Sequence, residues 1–191
     1  MNIKSLSAAL IMLAAFTIMA ACGMRDRQAA GFTEAELELI HGSDSIMRVL
    51  TIDAPSDLAV LRAKSSDLSD SALMSDEFAR LAELMVATVT HPSQDGVGIA
   101  GPQVGLNRRV VAVQRFDKEG EPFEVYPNVR IVWASDSLAA GPEGCLSVPD
   151  RRGDVLRSQE IVIEYADIAG VEQSRQEIRL ESCGCAMPVP M

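Results

Sequence analysis

Apolar side chains recur at three- and four-residue intervals in one stretch above all. Phe78, Leu81, Met85 and Val89, with polar residues between them, put a hydrophobic stripe along a helix from about Ser75 to Thr90, which Pro92 ends. That stripe reads as core, with no cofactor role attached. Earlier in the chain, Thr33-Glu34-Ala35-Glu36 has capping-box spacing and predicts a short helix through about His41. Residues 46–74 carry short apolar runs broken by Pro55 and Ser/Asp clusters, and read as mostly loop with short helical or extended pieces. Beyond the long helix the pattern becomes that of strands. Val110-Val111-Ala112-Val113-Gln114 is dense in β-branched residues, Lys118 to Glu121 looks like a hairpin turn, and Phe123 to Ala134 reads as extended, interrupted at Pro127, with Trp133 half buried. Ile161, Ile163 and Tyr165 then alternate along a strand that turns at Ala169-Gly170 and returns from Glu172 to Leu180. No internal repeat is visible. One amphipathic helix packed on antiparallel strands makes the expected fold class α+β.

The start of the chain stands apart from this pattern. Lys4 precedes an uncharged run from Leu6 to Ala20 that ends in small residues, the form of a signal peptide, and the run is short for a bilayer span of about twenty apolar residues. Met19-Ala20-Ala21-Cys22 resembles a bacterial lipobox, with Met where Leu is usual; this implies cleavage before Cys22 and acylation of its thiol. The alternatives are an uncleaved hydrophobic N-terminus or a start codon placed too early. The expected organisation is a signal peptide over 1–22, a tether and short helix over 23–45, a domain over 46–180 and a tail over 181–191. A lipid-anchored protein outside the cytoplasm faces an oxidising compartment, where Cys145, Cys183 and Cys185 are open to oxidation, although three cysteines cannot all pair within one chain.

With 191 residues, 48% hydrophobic and only 4% aromatic, the chain can build one domain around an aliphatic core. A net charge of -10, with only Arg151, Arg152 and Arg157 clustered, excludes a general nucleic-acid binder, because phosphate contacts need grouped Lys and Arg.

Two stretches carry candidate chemistry. Gly96-Val97-Gly98-Ile99-Ala100-Gly101-Pro102-Gln103-Val104-Gly105 lies after a helix and before a strand, the reverse of the order in a dinucleotide-binding fingerprint. It is either a tight turn or a place where backbone closely approaches a bound group, with the Gln103 amide at the rim. The second stretch is Glu143-Gly144-Cys145-Leu146-Ser147-Val148-Pro149. On its own, Cys145 is open to three readings, as a buried thiol, a nucleophile or a metal ligand.

Taken together, these stretches resemble the first two of the three motifs of the peptide deformylases, within a resemblance covering about residues 46–180; Gly101 stands where alanine is usual. The resemblance implies hydrolysis of the N-formyl group from formyl-methionyl peptides. In that family Fe²⁺ or another divalent ion is held by the cysteine of the second motif and by two histidines of a His-Glu-x-x-His helix. It also implies that Cys145 is the metal ligand, that Gln103 and the backbone N–H of Leu146 form the oxyanion hole, and that Val97 and Gly98 line the edge that binds the peptide. The residue types suit that chemistry, since a thiolate holds a metal while N–H donors stabilise a developing oxyanion.

The third motif is expected after Leu180, but Glu181 to Met191 contains no His and has two prolines that forbid a continuous helix. His41 and His91 are the only histidines, and both read as surface or capping residues. One reading takes the chain as a truncated or frame-shifted deformylase. Another takes Cys183-Gly184-Cys185 as replacement ligands that join Cys145, with Glu143 and Glu181 the only nearby carboxylates for acid/base work. The expectation is an exported, membrane-anchored relative of the deformylases, inactive and metal-free as given, with apolar strand faces exposed where the family packs its third-motif helix. Its rivals are a non-catalytic lipoprotein that binds peptide N-termini in the groove formed by the two motifs and a nonfunctional fragment; the partner that the resemblance itself implies is a formylated peptide N-terminus.

Overall fold

The computed structural model describes residues 30–168 in full and residues 175–181 by their backbone. The first helix, α1 (Glu34–His41), begins as its spacing predicts: Thr33 Oγ1 accepts from the Glu36 N–H, and Glu36 accepts from the Thr33 N–H at 2.8 Å. Ile40 carries this helix into the core. Two short helices, α2 (Pro55–Leu61) and α3 (Asp70–Leu73), punctuate the stretch read as mostly loop. The long helix is α4 (Asp76–Thr90), with the Ser75 side chain capping it at the Phe78 N–H. Phe78, Leu81, Met85 and Val89 are buried along one face, as the periodicity predicts.

Strands β1 (Gly98–Ala100), β2 (Val110–Gln114) and β3 (Phe123–Pro127) form an antiparallel sheet in the order β1-β2-β3. Between β1 and β2 lies a 3-10 turn, Gly101–Val104. A second sheet has the order β4-β7-β8, from β4 (Arg130–Ala134), β7 (Glu160–Ala166) and β8 (Arg175–Glu181). The pattern of apolar positions did not foretell β5 (Leu138–Cys145) and β6 (Val148–Ser158), which pair as a two-stranded ribbon. Gly, Pro and Asp interrupt both segments, so no run of alternating apolar residues marks them. The ribbon is continuous with the second sheet through a hinge. There the Ser135 N–H donates to Glu160 O and the Gln159 N–H to Ser137 O, each at 2.9 Å.

The main core lies between α4 and the first sheet, where Phe78, Leu81, Met85, Ile99, Leu106 and Val110 are buried. A smaller cluster, Val111, Val113, Tyr126 and Ile163, joins the two sheets, with the Tyr126 and Tyr165 rings edge-to-face at 4.8 Å. The half built from β4 to β6 is much more open. Trp133 is 45% exposed, Leu138 54% and Leu156 66%. An isolated two-stranded ribbon is marginal in water, so this half leans on its junction with the second sheet.

Arg108 fastens the N-terminal helix to the body. Its buried guanidinium donates to both carboxylate oxygens of Glu36 (2.6 and 2.8 Å), to Gly31 O, to Ser66 Oγ and to Asp67 O. That uses all the donors the group has. Asp67 in turn accepts from Arg109 and Arg130. Burial pushes the Glu36 carboxyl up, but the hydrogen bonds from Arg108 and Thr33 outweigh it and hold the group below its usual range.

A carboxyl whose folded pKa is depressed contributes stability that is present above its unfolded value, about 4.3 for Glu, and lost as pH falls through the folded value. Urea unfolding midpoints measured from about pH 6 down to about pH 3 are therefore expected to fall most steeply below about pH 4.3. Glu36→Gln is expected to flatten that acid limb, and Arg108→Met, which strands a mostly buried carboxylate, to cost about 3–5 kcal/mol at neutral pH. An acid limb unchanged in Glu36→Gln contradicts this account.

Candidate functional site

The site is assembled where the chain leaves α4 and where it turns from β5 to β6. After Thr90 the chain folds back on the helix end, the Gly96 N–H donating to Val89 O at 2.9 Å. A Cβ on Gly96 would lie 2.9 Å from Val89 Cγ2 and 3.1 Å from Leu146 Cδ1, so the missing side chain is what lets Leu146 pack beside α4. Gly101 is tighter still: a Cβ there would meet the backbone oxygens of Arg108 at 2.7 Å and Leu106 at 2.8 Å.

Among the described residues strand β1 pairs only with β2, which leaves its other side as an edge. The Gln114 N–H donates to Val97 O, which fixes the phase of the ladder: Val97 and Ile99 turn their polar groups toward β2, while Gly98 and Ala100 turn theirs outward. The outward Ala100 N–H is taken by Gln103 Oε1 at 2.9 Å.

That bond determines which way the Gln103 amide points. The side chain is 7% exposed, and its Nε2 is left facing the second stretch, donating to Ser147 Oγ at 3.2 Å and to Cys145 Sγ at 3.8 Å. Ser147 is buried, whereas Cys145 is exposed. Cys145 stands opposite Val148 at a register shift in the β5–β6 ladder, which places Leu146 and Ser147 in the connecting turn. Behind both stretches, the Leu50 N–H donates to Gln103 O (2.8 Å) and the Ile52 N–H to Ser147 O (2.9 Å).

Among the residues singled out from the sequence, Gln103, Cys145 and Leu146 come together, with Gly98 on the adjoining edge strand and Val97 just before it. The histidines lie elsewhere. His41 ends α1, and His91 caps α4 with its Nδ1 2.8 Å from Ser93 Oγ. Glu143 is not a free base: Arg157 holds both its oxygens, at 3.0 and 2.9 Å. These bonds raise the Arg157 guanidinium above its ordinary value, against burial, which lowers it. Glu181 pairs through its backbone with Glu160 at the hinge, and β5 runs from that hinge to Cys145, about 23 Å along the strand at ~3.3 Å per residue. Cys22, Cys183 and Cys185 lie outside the described residues. Ser147 and the 50–52 segment were missed in the sequence; Ser147 is marked only by its place beside Cys145, and main-chain donors leave no residue signature.

A tightly held divalent ion of the zinc or iron type takes three or more protein donors. Among the described residues no three His, Cys, Asp or Glu side chains group in that way, and Cys145 is the one soft donor at this site. The described donor set therefore does not fit a bound divalent ion.

Comparison with known proteins gives one consistent answer. Residues 46–183 match the model of the polypeptide deformylase family. Peptide deformylase 2 of Gloeobacter violaceus is 39% identical over 127 residues, covering 65% of this chain but only 62% of that protein's length. A peptide deformylase of a Caulobacter species is 35% identical over 138 residues, covering 70% of this chain and 76% of that protein. Among solved structures, a class I type b peptide deformylase from Acinetobacter baumannii superposes with a TM-score of 0.63 at 30% identity, over 74% of this chain and 88% of that one. Another crystal structure of that enzyme, with Met-Ala-Ser bound, superposes with a TM-score of 0.61 at 29% identity, over 73% and 86%.

Alanine is the residue usual at position 101 in the deformylase motif, yet this backbone has no room for its methyl group. Gly101→Ala is expected to lower stability by about 1–3 kcal/mol, because the atoms it meets are backbone oxygens that cannot rotate away. A urea midpoint unchanged or raised in this variant would show that the turn between Gly101 and Arg108 relaxes freely.

Proposed function

Because the chain belongs to the polypeptide deformylase family, we propose that its 30–181 region is a deformylase-type recognition surface that binds formylated peptide N-termini without hydrolysing them. The observation that carries this reading is the Gln103 amide, which ends an edge strand on one side and reaches Cys145 and Ser147 on the other.

An extended peptide can add to the outer side of β1 through the outward backbone groups of Gly98, next to the Ala100 N–H that Gln103 Oε1 already holds, the ordinary mode of strand addition. Val97, held to β2 through its carbonyl, keeps that edge straight. A carbonyl oxygen arriving beside Cys145 meets the Nε2 proton of Gln103, and the Leu146 N–H at the turn is the second donor of the pair. Members of the family are metal-dependent hydrolases, and the ion supplies activation of water when it is bound. One thiol does not make such a site, and Glu143 is committed to Arg157, so the described residues support recognition and not turnover. The solved deformylase with Met-Ala-Ser bound supports the choice of ligand class.

We propose further that the chain is exported and anchored by acylation at Cys22, which would present this surface outside the cytoplasm to formylated or otherwise N-acylated peptides. The support is the Leu6–Ala20 run and the lipobox-like Met19–Cys22. Labelling with radioactive palmitate in the native cell is expected to mark the parent chain and not Cys22→Ser; label retained in the variant removes the anchor.

The full chain, purified under reducing, anaerobic conditions, is expected to bind formyl-Met-Ala-Ser by calorimetry and to release no formate, with or without excess Fe²⁺ or Ni²⁺. Formate release with stoichiometric metal would replace this reading with an active deformylase. No binding of the peptide would sink both.

A further inference from the structure

Asp57 is a charged residue buried for no reason that its own helix supplies. It lies in the first turn of α2, and its side chain is 8% exposed. The Ala54 N-cap makes no side-chain cap bond, and Asp57 does not take over that role. Instead its carboxylate accepts from Arg48, with Nη2 at 2.7 and 2.9 Å and Nη1 at 3.1 Å, and from the Thr51 N–H at 3.1 Å. Arg48 precedes the 50–52 segment that stands behind the site, and Thr51 lies at its centre.

The direction of the main-chain donors in that segment alternates. Leu50 donates to Gln103 O, Thr51 to Asp57 and Ile52 to Ser147 O. The Leu50 and Ile52 N–H groups thus face the site while that of Thr51 faces away, just where the chain turns toward α2. This segment is a gauge. One end holds the main chain of Gln103, the other holds that of Ser147, and the carboxylate of Asp57 fixes its back.

We infer that Asp57 is a positioning residue: through residues 50–52 it sets the spacing between the Gln103 limb and the Cys145–Ser147 limb, and so the reach of the Gln103 amide to Cys145. The inference rests on the proposed peptide-binding reading for one of its two tests and is independent of it for the other.

The test compares Asp57→Asn with Asp67→Asn. The control breaks a partly buried carboxylate, with its side chain 22% exposed, that accepts from Arg109 and Arg130, neither of which belongs to either limb. Two quantities are read in the full chain, well below the melting temperature of each variant. One is the rate at which iodoacetamide alkylates Cys145, followed by peptide mass mapping; the other is the Kd for formyl-Met-Ala-Ser. Asp57→Asn is expected to change the alkylation rate and to weaken the peptide by about 3- to 30-fold, while Asp67→Asn lowers the melting temperature and leaves both unchanged. If Asp57→Asn does not fold, Arg48→Gln breaks the same network from a side chain that is largely exposed, with the same outcomes expected. Alkylation and affinity equal to the parent's, in a variant that only melts lower, would make Asp57 purely structural and overturn the inference. A parent that binds no peptide defeats the recognition reading, and the alkylation comparison still decides the role of Asp57.

Discussion

One buried amide must satisfy partners on both of its ends, and much of this molecule is arranged to let it. Gln103 accepts from the strand that precedes it and donates to a turn more than forty residues further along the chain. Leaving any of those groups unpaired in the interior costs more than the bond itself contributes, so the arrangement is close to all-or-none. The 3-10 turn exists at this point because only a tight reversal brings the side-chain oxygen back to Ala100. Gly96, where the chain leaves α4, lacks a side chain because Val89 and Leu146 press on it, and Gly101 lacks one because the turn is pressed against the carbonyls of Leu106 and Arg108. The contact that makes the site is also a contact that closes the fold.

The two halves of the fold differ in how they are held. Around α4 and the first sheet, aliphatic side chains interlock and buried charges are each matched, as Arg115 is by Asp117 and Glu124, so that no buried side-chain polar atom among the described residues lacks a partner. From β4 to β6 the order comes mainly from backbone ladders, with Trp133, Leu138 and Leu156 facing outward. Cys145 sits at the tip of the less packed half and Gln103 in the well-packed one. The bridge between them is short and polar, which is why the 50–52 segment behind it matters.

What could be read from the residues followed the physics of each element. Helices α1 and α4 were legible because caps and a 3.6-residue period are local signals, and β2 and β3 because their residues are β-branched or aromatic. The β5–β6 ribbon was not legible: Gly141, Pro142, Gly144 and Gly153 weaken any strand signal, and its pairing is decided by partners across the ladder. Gln103 and Cys145 stood out together only through a family resemblance, since neither an isolated amide nor an isolated thiol announces a role. Asp57 was hidden for a different reason. An acid in the first turn of a helix is what the helix dipole favours anyway, so its burial and its use of Thr51 show only in three dimensions.

Arg108 has a consequence in time as well as in space. Glu36 and Gly31 are made first, but the guanidinium that binds them is added 72 and 77 residues later. At the usual pace of synthesis, 5–20 residues per second, the interval is roughly 4–15 s. During it the α4 side chains that cover Ile40 are made first, and the Glu36 carboxylate waits longer for its partner. A nascent chain of this protein therefore presents the acidic first turn of α1 to whatever surrounds the ribosome exit before the cation that neutralises it exists.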